Sequence, residues 1–134
     1  MLKYMLDTNI VIYVIKRRPI EVLGVFNDHA GHMCISAVTL AELLHGAEKS
    51  EQQEHNFRKI EDFISRLDVL VYGDNAVAHY GEIRSNLERK GKPIGVNDLH
   101  IAGHARSEGL ILVTNNEKEF ERVEALRVEN WVKK

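Results

Sequence analysis

The sequence lacks several features that are each typical of a particular class of protein. Cys34 is the only cysteine, which excludes an internal disulfide and a cysteine-based zinc site. No apolar run approaches the roughly 20 residues that a membrane-spanning helix needs, and no signal-peptide pattern opens the chain. No repeat, low-complexity segment or linker divides the 134 residues. We therefore predict one cytoplasmic domain over residues 1–134, without a membrane partner.

The sequence also lacks an excess of positive charge. Its 18 lysines and arginines are outnumbered by 20 aspartates and glutamates, which gives a formal net charge of −2. A protein that coats nucleic acid is normally basic overall. Any grip on nucleic acid must therefore be local, and the basic runs at residues 16–18 and 90–92 are the candidates. Solvated turns are the alternative for both runs.

Short apolar runs alternate along the chain with segments of helical spacing. The runs predict strands at residues 4–6, 33–35, 69–72 and 110–113, each followed by helices. Pro19 is expected to open a second helix with Ile20, Leu23 and Phe26 on its apolar face. This alternation is typical of a mainly parallel central sheet flanked by helices, so we predict an α/β fold.

Acidic residues recur where the predicted strands end. Asp7 ends the first strand, Glu42 lies in the helix after the second, and Asp98 opens the helix after a glycine-rich loop. Three more polar residues follow the last of these strands: Thr114, Asn116 and Glu119. In a parallel sheet these positions belong to one edge, where ligands bind in α/β proteins.

Carboxylates gathered without basic partners repel one another and raise their pKa values. A hard divalent cation removes that penalty, and oxygen-only ligands select Mg²⁺ or Mn²⁺. Each residue alone also has a commoner use: Asp7 and Asp98 as helix caps, and Glu42 and Glu119 as solvated helix residues. Only the joint arrangement favours a metal site.

Four segments follow one another in the order found in a known family. They are Met5–Asn9, Ser36–Gly46, Ile94–Asp98 and Leu112–Phe120. With these segments the chain resembles the PIN-domain ribonucleases, and specifically the VapC toxins of bacterial VapBC toxin–antitoxin pairs. The resemblance covers essentially the whole chain, is closest to the enteric-type VapC branch, and implies a single PIN domain.

Carried onto this sequence, the resemblance makes Asp7, Glu42 and Asp98 both catalytic residues and ligands of Mg²⁺, with Mn²⁺ as an alternative. The activity it implies is metal-dependent hydrolysis of an RNA phosphodiester bond. The bound ion lowers the pKa of the attacking water and neutralises charge on the phosphoryl oxygens. The enteric branch suggests the anticodon stem-loop of initiator tRNA as the substrate, so that cleavage inhibits translation.

The chain departs from the family at the fourth acidic position, two residues after Thr114. Asn116 stands there instead of an aspartate, and it can bind a metal through its carbonyl oxygen without adding charge. Glu119, one helical turn further on, is the candidate for the missing catalytic carboxylate. Whether one or two ions act depends on this position.

The resemblance also implies supporting roles around the acidic site. Thr8 or Thr114 would hold a metal-bound water or a phosphate oxygen, and Asn9 would fix the rotamer of Asp7. Arg17 and Lys92, from the two basic runs, are the candidate contacts to RNA phosphates. The implied partners are a VapB-type antitoxin, a second copy of this chain, and operator DNA reached only through the antitoxin complex.

Two other classes compete with this interpretation. A phosphatase with an aspartyl nucleophile also begins with a strand ending in aspartate, but it has a second aspartate where this chain has Asn9. A catalytically weakened PIN-like module that acts through its antitoxin partner is kept open by Asn116. A zinc protease is excluded, since His100 and His104 lack the glutamate and third ligand of that motif.

Overall fold

The computed structural model describes residues 1–17 and 20–132. Within them the chain alternates strands and helices, as the apolar pattern predicts. The strands are β1 (Tyr4–Leu6), β2 (Met33–Ser36), β3 (Asp68–Leu70), β4 (Ile111–Val113) and β5 (Val128–Glu129). The helices are α1 (Thr8–Lys16), α2 (Ile20–Asp28), α3 (Ala37–Glu48), α4 (Gln53–Ile64), α5 (Asp74–Arg89), α6 (Val96–Ser107) and α7 (Glu117–Phe120).

The five strands form one sheet in the order β3-β2-β1-β4-β5. Every pairing is parallel, and β1 lies between β2 and β4 with Leu6 opposite Val113. The predicted α/β fold with a parallel central sheet is therefore confirmed. The chain leaves β1 toward β2 and β3 on one side and returns to β4 on the other. The gap between β1 and β4 is thus the switch point where such sheets bind ligands.

Both faces of the sheet are covered. Along β1, Tyr4 and Leu6 belong to one core cluster, which is packed under α1 to α4, while Met5 belongs to a second cluster under α5 and α6. This split follows from the two-residue period of a strand, which points successive side chains to opposite faces. Burial on both faces explains why the central strands β1, β2 and β4 are almost entirely apolar.

Helices α5 and α6 cross at close range. A Cβ atom on Gly103 would lie 2.9 Å from the backbone nitrogen of Tyr80, a distance that real Cβ atoms do not show. Only glycine therefore permits this approach. The crossing brings the side chains of α5 and α6 face to face beside the sheet edge.

Two sequence expectations about single positions are corrected. Ile20, predicted on the apolar face of α2, is 72% exposed, whereas Phe26 is buried as predicted and Val22 is buried beside it. The third strand ends at Leu70, so Val71, predicted inside it, is 83% exposed. Pro19, expected to open α2, lies outside the described residues. Among the described residues, no helix is long and apolar enough to span a bilayer.

Candidate active site

Asp7 lies at the switch point of the sheet and caps a helix at the same time. Its Oδ1 accepts a hydrogen bond of 2.9 Å from the backbone N–H of Ile10, in the first turn of α1. Its own N–H donates to the carbonyl of Val113 on β4, at 3.0 Å. Only 3% of Asp7 is exposed. The capping role and the site role therefore do not exclude each other.

Burial raises the pKa of Asp7 to about 6. A side-chain hydrogen bond from Thr114 and the backbone N–H groups of Ile10 and Asn9 oppose this rise, while the charge of Glu42 adds to it. Asn9 thus reaches Asp7 through its backbone N–H. The carboxylate is held in place by neighbours that favour its charged form.

Glu42 is directed toward the same edge by α3. Ser36 ends β2 and also caps α3, since its hydroxyl accepts from the N–H of Val38 at 3.1 Å. Glu42 follows less than two turns later, and Thr8 donates to its Oε1 at 2.6 Å. Asn97 donates to its Oε2 at 3.1 Å. Both carboxylate oxygens of Glu42 are therefore held, which a solvated helix residue would not show.

Asp98 lies inside the first turn of α6. The residue that caps this helix is Gly95, so the capping alternative for Asp98 is wrong. Its pKa is raised to about 7 by partial burial, by a hydrogen bond with Glu119, and by the charges of Glu119, Asp7 and Glu42. The charge of Asp98 therefore interacts with the charges of all three other acidic candidates.

Asn116 and Glu119 complete the group. The N–H of Asn116 donates to the Thr114 hydroxyl at 2.9 Å, and its side-chain amide donates to Oε2 of Glu119. The backbone N–H of Gly95 donates to Oε1 of Glu119 at 3.3 Å. Glu119 therefore lies between the end of β4 and the start of α6, next to Asp98. The fourth carboxylate of the group comes from this residue.

We call the residues Asp7, Glu42, Asp98 and Glu119 the acidic cluster. The charges that act on Asp7 and Asp98 are all negative, and each raises the pKa of the carboxyl it faces. Within residues 1–17 and 20–132, no three acidic, histidine or cysteine side chains stand close enough to bind one metal ion as they are oriented. Hydrogen bonds to Thr8, Asn97 and Asn116 hold two of the carboxylates instead.

The donor set nevertheless fits a hard divalent cation. It offers carboxylate oxygens and an amide oxygen and no sulfur, which is the chemistry that Mg²⁺ and Mn²⁺ prefer. Burial and the negative charges of neighbouring carboxylates raise the pKa values of Asp7 and Asp98, and no basic group is among the causes of either shift. A cation that approached would replace protons and hydrogen bonds that now relieve the repulsion.

The two predicted phosphate-binding residues lie on different elements. Arg17 is the C-terminal cap of α1, the helix whose other end carries Asp7, and the helix is about 14 Å long. Lys92 is exposed on the loop between α5 and α6, where its N–H donates to the carbonyl of Leu87 at 2.9 Å. Arg18, from the same basic run as Arg17, lies outside the described residues. The RNA contacts of Arg17 and Lys92 stay predictions.

Sequence reasoning missed three residues at this edge. Asn97 holds Glu42, while Tyr72 and His100 line a cavity against the same carboxylate. Asn97 had a local signal, since it directly precedes Asp98. Tyr72 had none, because it lies 28 residues from His100 and only the crossing of distant elements brings the two rings together.

Comparison with known proteins gives this architecture its family. The model of the PIN domain matches residues 4–126. A Haemophilus influenzae protein named Ribonuclease VapC2 is 66% identical over 98% of this chain and all of its own length. A Shigella flexneri protein named tRNA(fMet)-specific endonuclease VapC is 58% identical over 98% of this chain and 99% of its own length.

A solved structure shows the same fold. The VapBC complex from Salmonella typhimurium, crystallised with DNA, contains a chain that is 52% identical to this one. It superposes with a TM-score of 0.95 over 98% of this chain and all of that chain. The resemblance found in the four sequence segments is therefore confirmed over the whole length. This chain belongs to the PIN-domain family and, within it, to the VapC ribonucleases.

Proposed function

We propose that this protein is the toxin of a VapBC-type toxin–antitoxin pair, and that it acts in the cytoplasm as an Mg²⁺-dependent endoribonuclease. The observation that carries the proposal is the acidic cluster at the sheet switch point, whose negative charges have no basic partner among the groups that perturb Asp7 and Asp98. Membership of the VapC ribonucleases supports the reaction class. The substrate we propose is initiator tRNA, the target in the name of the Shigella relative.

Each member of the acidic cluster has a defined part in this proposal. Asp7 and Asp98 are the principal ligands, because burial and neighbouring negative charges disfavour their charged forms, a penalty that a bound cation would remove. Glu42 is oriented by Thr8 and Asn97, and in this proposal it is the general base that accepts a proton from the attacking water. When bound, the divalent cation supplies Lewis acidity toward the phosphoryl oxygens and the attacking water.

Residues around the cluster position it. Thr114, directly after β4, is fully buried and hydrogen-bonds Asp7, which fixes the Asp7 carboxylate beside the end of that strand. Asn116 holds Glu119 through its side-chain amide, so the departure from the family pattern supplies an orienting donor beside a carboxylate. This arrangement favours an active nuclease over a weakened binding module.

The antitoxin would bind in a groove between α1, α2 and α4. This cavity of about 700 Å³ has apolar side chains at its base, among them Val14, Phe26 and Phe63. Its exposed rim is mainly basic, with Lys16, Arg17, Arg58, Lys59 and Arg66, and it also carries Asp62, which is paired with Arg66 at 3.2 Å. An acidic amphipathic segment has the complementary chemistry. We call this cavity the basic groove, and we propose Arg17 as a contact there.

The assembly we propose is a homodimer that reaches operator DNA only through its antitoxin. The solved Salmonella relative is a VapBC complex with DNA, which supports a DNA-bound state of the pair. The negative net charge of this chain gives it no general affinity for DNA. The antitoxin would therefore supply the operator contacts.

The proposal is tested by incubating purified, antitoxin-free protein with total tRNA in Mg²⁺ or in EDTA, and by mapping the cut ends. We expect discrete cuts that leave 5′-phosphates, and we expect them to disappear on chelation and in Asp98→Asn. Asp28→Asn is the matched control, since Asp28 is an exposed aspartate at the end of α2, outside the acidic cluster.

Each other outcome contradicts a defined part of the proposal. Cleavage that persists in EDTA or in Asp98→Asn would remove the acidic cluster from the mechanism. Folded wild-type protein that cleaves no RNA in Mg²⁺ would support the binding-module alternative. Cuts in other RNAs, with initiator tRNA left intact, would keep the activity and overturn the substrate.

A further inference from the structure

A second cavity opens directly beside the acidic cluster. It has a volume of about 490 Å³, within the range of about 300–1,000 Å³ that small-molecule sites occupy. Its walls come from α3, from the segment after β3, and from the start of α6, through residues that include Val38, Ala41, Tyr72 and His100. Glu42 and Asn97 also line it, so the cavity and the acidic cluster share a wall.

The aromatic wall of this cavity is fixed by its neighbours. The Tyr72 hydroxyl and Nδ1 of His100 are hydrogen-bonded at 2.7 Å, with the two rings nearly perpendicular at 80°. On its other side the His100 ring stacks on Tyr80 at 4.1 Å and 8°. Tyr80 comes from α5, which the close approach at Gly103 presses against α6. The wall is therefore preorganised, which lowers the entropic cost of binding a flat group.

The chemistry of the lining selects the occupant. The described residues that line the cavity include no lysine or arginine, and they include the carboxylate of Glu42, so a phosphate would be repelled. Aromatic rings beside small apolar side chains suit a flat heterocycle, and RNA-binding proteins stack unpaired bases on such rings. The basic groove is lined by a different set of residues, so an antitoxin bound there would leave this cavity open.

We propose that the cavity is a nucleobase subsite, which receives a base next to the scissile phosphodiester of the RNA. The inference rests on the proposed ribonuclease function and adds a determinant of substrate choice to it. Because Glu42 and Asn97 face both the cavity and the acidic cluster, a base seated against Tyr72 and His100 places its own backbone at the cluster. Tyr72 and His100 are then substrate-positioning residues.

The test makes two changes: it removes a base from the RNA substrate, and it fills the cavity in the protein. RNA stem-loops that carry an abasic nucleotide on either side of the cut are compared with intact RNA. Alanine truncation of stacked contacts costs about 1–3 kcal/mol per base, so for one of the two abasic positions we expect wild-type kcat/KM to fall roughly 10- to 100-fold. The other position serves as the substrate control.

Ala41→Trp is the matching change in the protein, because it fills the cavity and leaves the acidic cluster intact. We expect the kcat/KM of Ala41→Trp on intact RNA to equal that of wild type on the sensitive abasic RNA. Removing the base from the RNA should then cause no further fall in kcat/KM for this variant. Ala78→Trp, the same substitution at an exposed position on α5, should behave as wild type. Tyr72→Leu, which removes the ring, should show the same loss of coupling and guards against misfolding of Ala41→Trp.

Three results would overturn the subsite. Wild type that cleaves both abasic RNAs as fast as intact RNA would show that no base is bound there. Ala41→Trp and Tyr72→Leu variants that still lose the full factor on the abasic RNA would place the base elsewhere. Wild type that cleaves no intact RNA would overturn the ribonuclease function and this inference with it, a failure that the intact-RNA control separates from the other two.

Discussion

The acidic cluster and the basic groove are opposites in charge and lie at different ends of α1. At the N-terminal end of α1, Asp7 is buried among other carboxylates, with its pKa raised to about 6. At the C-terminal end, Lys16 and Arg17 join the exposed rim of the groove. A net charge of −2 thus hides a strong separation of charge.

Each surface carries the charge opposite to that of its proposed partner. The acidic cluster concentrates carboxylates where a cation would bind, at the cost of repulsion in the metal-free protein. The basic groove concentrates cations over an apolar base, where an acidic peptide would bind. We therefore expect recognition of RNA to depend on shape and on local contacts rather than on the overall charge of the chain.

The largest effect is expected from Asp7→Asn, which breaks the acidic side of the comparison. Asparagine is isosteric and keeps the cap of α1, but it removes a metal ligand. We expect kcat/KM for RNA cleavage to fall by about 1,000-fold, since metal Lewis acidity contributes several kcal/mol. Without metal at pH 8 the variant should unfold at a higher temperature than wild type. Equal cleavage by the variant and wild type would exclude Asp7 from the reaction.

The stability of the metal-free protein should fall as pH rises. The folded pKa of Asp7 is about 6, raised from 3.8, so its contribution is fully present below pH 3.8 and is lost as pH rises through about 6. A shift of this size corresponds to about 3 kcal/mol. Asp98, with a pKa of about 7, has the same sign.

Urea unfolding between pH 5 and pH 8 in EDTA measures this dependence. Added Mg²⁺ should flatten it by neutralising the carboxylates, and Asp28→Asn should follow wild type at every pH. His100 and His104, whose pKa values burial lowers, contribute with the opposite sign. The decisive comparison is therefore with Asp7→Asn, and a pH dependence identical in this variant and in wild type would contradict the raised pKa of Asp7.

A smaller effect is expected from Thr114→Val, which leaves every carboxylate in place. The substitution removes the hydroxyl that hydrogen-bonds Asp7 and accepts from the N–H of Asn116. Loss of a group that orients a ligand typically weakens metal binding by about 10- to 100-fold. Calorimetric titration with Mg²⁺ or Mn²⁺ at pH 8 measures this loss. Thr39→Val, at the other buried threonine near the cluster, is the control. Unchanged affinity in Thr114→Val would show that Asp7 needs no such support.

The smallest effect is expected from reversing the charge of two residues on the basic groove. Arg58→Glu combined with Lys59→Glu should weaken binding of the antitoxin by about 10-fold, more at low salt, because rim charges act mainly on association. RNA cleavage by the free toxin should be unchanged. Lys49→Glu, at the exposed end of α3, is the control. Equal loss of binding in the control and the double variant would move the antitoxin away from the groove.

The sequence alone was sufficient for the fold and for the positions of the acidic residues. Parallel sheets are buried on both faces, so the apolar runs at Tyr4–Leu6 and Ile111–Val113 predicted a buried parallel sheet. Polar residues just after such runs must lie at its carboxyl edge, which is why Asp7 was found from pattern alone. The position of Glu119 followed from its spacing to Asn116, and its catalytic role stays a prediction.

Side-chain partners were decided only by the tertiary structure. A capping role for Asp98 stayed possible because the local sequence does not show that Gly95 is the N-cap of α6. Arg17 was expected near the carboxylates, but the length and direction of α1 carry it to the basic groove. Burial at the switch point, which no local pattern encodes, sets the pKa of Asp7.

The cavity beside the acidic cluster marks the limit of what the sequence determined. The chain order fixed which residues end strands, because strand direction and side-chain period are local properties of the backbone. The contact of Tyr72 with His100 depends instead on how tightly α5 crosses α6 and where β3 ends. Those are properties of packing between distant segments, and only the folded structure brings them to one place.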